Sequence, residues 1–146
     1  MYKELLTQLI QPFPSAKIQP PCPESELAQA EAVVGYPFPE ELKALLRELN
    51  GDRWLLLSAQ RIAEHVRTNR EIFPDCFDDP QEYYQTIDRH IFFATNGCGD
   101  YYCYRVSPEG IPDSTQIYLW EHETFESHPV ARDLTDLITK YYHDEV

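Results

Sequence analysis

The run Ile91-Phe92-Phe93-Ala94-Thr95-Asn96-Gly97-Cys98-Gly99-Asp100-Tyr101-Tyr102-Cys103-Tyr104-Arg105-Val106 limits the fold more than any other stretch of the chain. Apolar and β-branched residues lead up to a polar break, and an aromatic-rich run leaves it. The break at 96–99 is too short for a crossover, so the two strands must pair antiparallel. A third run, Ile117-Tyr118-Leu119-Trp120, ends on the charged cluster Glu121-His122-Glu123. Three strands in this order predict a small antiparallel meander. Alternation places Tyr102 and Tyr104 on one face of it, and Tyr101 and Cys103 on the other.

Helical spacing dominates before the meander and after it. Tyr2, Leu5, Leu6, Leu9 and Ile10 predict a first helix stopped near Pro12. A second is expected from Glu24 to Val34, with acids in its first turn and Gly35 at C′. Pro39 or Glu40 opens a third, whose stripe is Leu42, Leu45, Leu46 and Leu49. Asn50-Gly51 is expected to end it in the left-handed conformation. Trp54 to Leu57 is a short strand candidate, and Ser58 an N-cap for a fourth helix carrying Ile62 and Val66. Val130, Leu134, Leu137, Ile138 and Tyr141 predict a C-terminal amphipathic helix, with Asp133 and Asp136 toward solvent. The arrangement is α+β: a meander sheet with N-terminal helices and a C-terminal helix packed on one face or one end of it.

Length, at 146 residues, suits one domain over 1–146. A chain this long buries about 68–70% of its unfolded surface and needs no metal or disulfide to fold. The four cysteines, at 22, 76, 98 and 103, show no CxxC spacing and read as free thiols. Residues 71–88 hold six acids and no Lys or Arg. They read as an acidic insertion, broken by Pro74 and Pro80, with a short helix around 82–86. The formal charge of −13, from 25 acids against 12 bases, argues against nucleic acid and for a basic partner. The N-terminus lacks a basic-then-apolar signal pattern, and no apolar run approaches the roughly 20 residues of a membrane span. A cytoplasmic chain with no membrane association is expected.

Three motifs together carry a family resemblance. Glu31-Ala-Val-Val-Gly35-Tyr-Pro-Phe-Pro39-Glu-Glu-Leu-Lys-Ala-Leu-Leu46, followed by Asn50-Gly51, resembles the opening signature of the SUKH superfamily. Asn96 to Tyr102 resembles its glycine–aspartate hairpin, and Trp120-Glu121-His122-Glu123 its later strand ending in Trp and charges. The resemblance runs from Glu24 to Tyr142. It implies a non-enzymatic α+β binding domain. Bacterial members are commonly immunity proteins that neutralise a cognate toxin, often a nuclease; fungal members act in cell-wall and signalling regulation.

Chemistry read from the residues themselves is thin. Glu121, His122, Glu123, Glu126 and His128 are metal-ligand types, but no His-Glu-x-x-His frame exists and residues 121–123 alternate on an extended chain. No metal or other cofactor is expected. Cys98 with His122 or His90 as base would make a small hydrolase, as would the Glu121–Glu123 cluster, yet a chain this acidic opposes a second anion at the sulfur. Gly97 and Gly99 lack the Lys-Ser/Thr and the helix of a phosphate loop. The expected function is protein binding by occlusion. Asp75, Asp78, Asp79 and Glu82 of the insertion would dock a basic, nuclease-type toxin. A second contact patch is Asp100, Tyr102, Trp120 and Glu121. Asp100 is also a candidate for bonding backbone N–H groups in its turn. A regulatory or scaffold module for an endogenous protein is the main alternative. Oligomeric state is not legible.

Overall fold

The computed structural model describes residues 1–146. Four helices come first: α1 (Tyr2–Leu9), α2 (Glu24–Val34), α3 (Glu40–Glu48) and α4 (Ala59–Ile72). A 3-10 turn (Pro74–Cys76), α5 (Pro80–Tyr83) and a π-helical turn (Tyr84–Asp88) follow. The sheet is β1 (His90–Thr95), β2 (Tyr101–Arg105), β3 (Ile117–Trp120) and β4 (Ser127–Ala131), in that spatial order and antiparallel throughout. Helix α6 (Leu134–Tyr142) closes the chain. No helix is long and apolar enough to cross a membrane.

Helix boundaries follow local chemistry. Gly35 ends α2 in the left-handed conformation, and its N–H bonds Glu31 O. Ser58 caps α4 by accepting from Arg61 N. Leu42, Leu45, Leu46 and Leu49 are all buried, as their spacing requires. Truncating Leu45 or Leu46 to Ala should therefore cost about 2–5 kcal/mol in urea melts. A variant melting like wild type would show that the stripe does not carry the core.

One face of the sheet, with Ile91, Phe93, Tyr102, Tyr104 and Ile117, packs on α1, α2, α3, α4 and α6. The other face, with Phe92, Cys103, Tyr118 and Trp120, packs on Tyr83 and Ile87, with Phe73 and Phe77 beside them. Residues 73–88 are thus the layer that covers the second face. The sheet is covered on both sides, so β1 is buried at every position from His90 to Ala94. A bulge between Phe92 and Ala94 puts Phe93 and Ala94 in the same core.

Several expectations need correction. The segment 54–57 makes only a single bridge, Leu56 to Ala94. The cause is Asp52, whose Oδ1 accepts from the N–H groups of Trp54, Leu55 and Leu56 and winds the segment into a turn. At the end of α3 only Gly51 is left-handed (φ 88°); Leu49 is extended, and Asn50 uses its Oδ1 to accept from Ala59 N. A Cβ at Gly51 would lie 2.9 Å from Leu56 O. In the acidic segment Pro74 and Pro80 open helical turns instead of breaking them, because the first turn needs no proline N–H. The short helix begins at Pro80, capped by Asp79, and not near 82. Residues 127–131 form a fourth strand, so Val130 belongs to the sheet and α6 starts at Leu134 behind its N-cap Asp133. Pro129 is tolerated there because β4 is an edge strand. Residues 121–123 enter a tight turn with Phe125 at φ 59°, so they do not alternate on an extended chain.

Candidate functional site

The acidic layer has the features of a contact surface. Asp75, Asp78, Asp79 and Glu82 are all exposed. Two large apolar side chains are exposed with them, Ile72 at 56% and Tyr84 at 45%. Tyr84 flanks an open cleft of about 300 Å³ between Arg70, Pro74, Pro80, Tyr83 and Asp88. Arg70 braces its wall. Its Nε donates to Asp88 Oδ1 at 3.0 Å, and its other nitrogens donate to Val33 O and Val34 O at 2.6 and 2.7 Å, closing the C-terminal end of α2. The layer is anchored from beneath. Trp120 Nε1 donates to Thr86 O at 3.0 Å, and Trp120 stacks on Phe125, which packs against Phe73 and Phe77. An aromatic rim on a rigid base, surrounded by carboxylates, is what an interface anchor needs.

The second expected patch comes apart. Tyr102 is 1% exposed and Trp120 3%, so neither presents a side chain to a partner. They also lie in opposite cores, Tyr102 against the helices and Trp120 under the acidic layer. Asp100 and Glu121 do come together at one end of the sheet, since Tyr101 pairs with Trp120. Asp100 Oδ1 accepts from His122 N at 3.1 Å and from His122 Nδ1 at 2.6 Å, and Oδ2 accepts from Asn96 Nδ2 at 3.3 Å. Burial raises the Asp100 carboxyl, but these hydrogen bonds outweigh it and hold the group below the usual aspartate range. Asp100 thus ties the β1–β2 hairpin to the β3–β4 turn, a longer reach than the local turn bond read from sequence. Gly99 is needed there, because a Cβ would sit 3.0 Å from the His122 ring.

Chemistry at this end is incomplete. His122 has an orienting carboxylate, and Cys98 is exposed nearby, but the sulfur makes no hydrogen bond to the imidazole. His90 is buried at the start of β1, far along the strand from the hairpin tip. No group of three or more His, Cys, Asp or Glu side chains is placed to hold a metal ion.

The four acids named from the sequence are exposed, and beside them the structure exposes Ile72 and Tyr84, which the sequence reading did not name. Alternation and helical period do not show which apolar residues a fold leaves uncovered. The cluster of prolines and aromatics at 73–84 was the available signal.

A model of the SMI1 / KNR4 family (SUKH-1) matches residues 21–140, which hold α2 to α5, the whole sheet and most of α6. No curated protein matches the chain.

Proposed function

The chain belongs to the SMI1 / KNR4 family (SUKH-1), and from that membership we propose a non-enzymatic protein-binding domain of the immunity type. Its partner is a basic protein, with a nuclease-type toxin as the leading case, and it acts by occlusion. The acidic layer docks on the partner's cationic cleft and excludes its substrate. The observation that carries this reading is Tyr84, held exposed on a layer that also presents Asp75, Asp78, Asp79 and Glu82. Carboxylates speed the encounter, while Tyr84 and Ile72 supply the desolvated contact that slows release.

The test separates the two steps. Converting Asp75, Asp78 and Asp79 to Asn and Glu82 to Gln removes charge without removing the α5 cap, because Asn also caps helices. Against the captured partner, the association rate at low salt should fall roughly tenfold or more, since steering of this kind contributes factors of about 10 to 1,000. The dissociation rate should hold. Tyr84→Ala should do the reverse, with a loss of about 2 kcal/mol or more in affinity. An unchanged association rate in the quadruple variant would move the docking surface elsewhere. A partner that is an endogenous regulator instead of a toxin would use the same surface. The identity of the neighbouring genes and a pull-down from the source cell distinguish the two.

A further inference from the structure

The cleft beside Tyr84 is small and is built from flat groups. Its volume of about 300 Å³ is at the low end for ligand clefts and suits one side chain rather than a length of chain. Pro74, Pro80 and Tyr84 contribute rings to the wall, and Arg70 a guanidinium. Tyr84 packs against buried Tyr83, with ring centroids 5.6 Å apart.

The polar groups of the wall already have partners. Each nitrogen of Arg70 donates inside the protein, to Asp88 Oδ1, Val33 O and Val34 O. Asp88 also accepts from the Tyr83 hydroxyl at 3.5 Å and bonds the Tyr36 phenol, and its side chain is only 10% exposed. A cation entering the cleft would meet Arg70 and a carboxylate that is already engaged, and would shed its water without gaining a free acceptor. The uncommitted carboxylates belong to neighbours of the lining residues. Asp75 follows Pro74, Asp78 and Asp79 precede Pro80, and Glu82 lies between Pro80 and Tyr84. None of these four is ion-paired. Negative charge thus sits on the rim, and apolar surface in the cleft.

We propose that this cleft takes one aromatic side chain of the partner, carried on a segment with Lys or Arg on both sides of it. The inference rests on the docking surface proposed above and names what that surface recognises. The ring is received by the two prolines, by Tyr84 and by the Arg70 guanidinium, a group that stacks on aromatic faces. The flanking cations stay hydrated and meet the rim carboxylates. An aliphatic side chain would fill the same space without the ring–ring and cation–π attraction.

Four peptides of the form acetyl-Lys-Lys-X-Lys-Lys-amide test the site, with Tyr, Leu, Arg or Ala at X. They are titrated into the full chain at constant ionic strength, followed by the ring resonances of Tyr84 and the Nε–H resonance of Arg70. The Tyr peptide should saturate and shift both. The Ala peptide should bind about tenfold or more weakly, the worth of burying one large apolar side chain. The Leu peptide should be weaker than the Tyr peptide by about threefold, the aromatic contribution. The Arg peptide should also bind more weakly than the Tyr peptide. Tyr84→Phe keeps the ring and should bind the Tyr peptide like wild type, whereas Tyr84→Ala should bring it down to the level of the Ala peptide. The peptide series on the wild-type chain decides the matter without any variant having to fold. In the quadruple charge variant all four peptides should weaken together while the Tyr-to-Ala ratio holds. Equal binding of the Tyr and Ala peptides, or a preference for Leu or Arg, overturns the inference and leaves the docking surface untouched. A Tyr preference at the cleft, with a charge variant that still associates with the captured partner at the wild-type rate, upholds the aromatic specificity and moves the docking surface elsewhere.

Discussion

Replacing Asp52 by Ala is expected to destabilise the protein by about 3–5 kcal/mol. The residue is completely buried. Its Oδ1 accepts from three backbone N–H groups at 2.8–3.0 Å, and its Oδ2 accepts from the Tyr142 hydroxyl at 2.5 Å. Burial and then Asp52 itself push the Tyr142 phenol well above its ordinary range, so that hydroxyl keeps its proton and donates. Alanine would leave four donors without their acceptor, three of them buried, and each buried one costs about 1–3 kcal/mol before relaxation. Typical domains have about 5–15 kcal/mol in total, so the variant should sit near the unfolding threshold. Tyr142→Phe removes one bond only and should cost about 1 kcal/mol. Urea melts decide the matter. If Asp52→Ala lost no more than Tyr142→Phe, Asp52 would not be the post that fixes the 52–56 turn to α6.

Acidification is expected to unfold the protein well before its carboxylates protonate. His65 stacks on Tyr101 at 3.9 Å, meets Phe92 edge-on and contacts Asn69; His90 stacks on Phe92. Burial lowers each to about 4, and for His90 the nearby Arg105 adds to it while the bond to Ile87 O opposes it. In the unfolded chain both titrate near 6.5. As pH falls the unfolded state takes up protons first, so stability is full above about 6.5 and drains away between 6.5 and 4. Moving a pKa that far corresponds to roughly 3 kcal/mol per group. Asp100, Asp113 and Asp136, all held low, contribute their own loss only at more acid pH. The window between 6.5 and 4 therefore belongs to the histidines. Urea midpoints measured across it should fall steeply for wild type and less steeply for His65→Gln and for His90→Gln. A flat wild-type profile there would mean that neither imidazole is buried neutral.

Much of the fold was legible because its signals are local. Helices α2 and α3 follow from caps and a leucine stripe, and the hairpin follows from a loop too short for a crossover. The failures have a common cause. Strand β4 carries Pro129, which local reading counts against a strand, and only its place at the sheet edge makes the missing N–H harmless. The 54–57 segment looks like a strand until Asp52, a residue outside it, claims its N–H groups. Tyr102 and Trp120 have the chemistry of interface anchors, but both are in cores.

The sequence by itself determined the class of the protein: α+β, a meander hairpin, an acidic surface, and membership of a family through motifs in a set order. Those are properties of spacing and composition, and they survive without coordinates. Tertiary structure alone decided which side chains remain outside. It laid residues 73–88 over the second face of the sheet and turned Tyr84 outward and Tyr83 inward. Exposure depends on what packs from distant parts of the chain, and no local period encodes that.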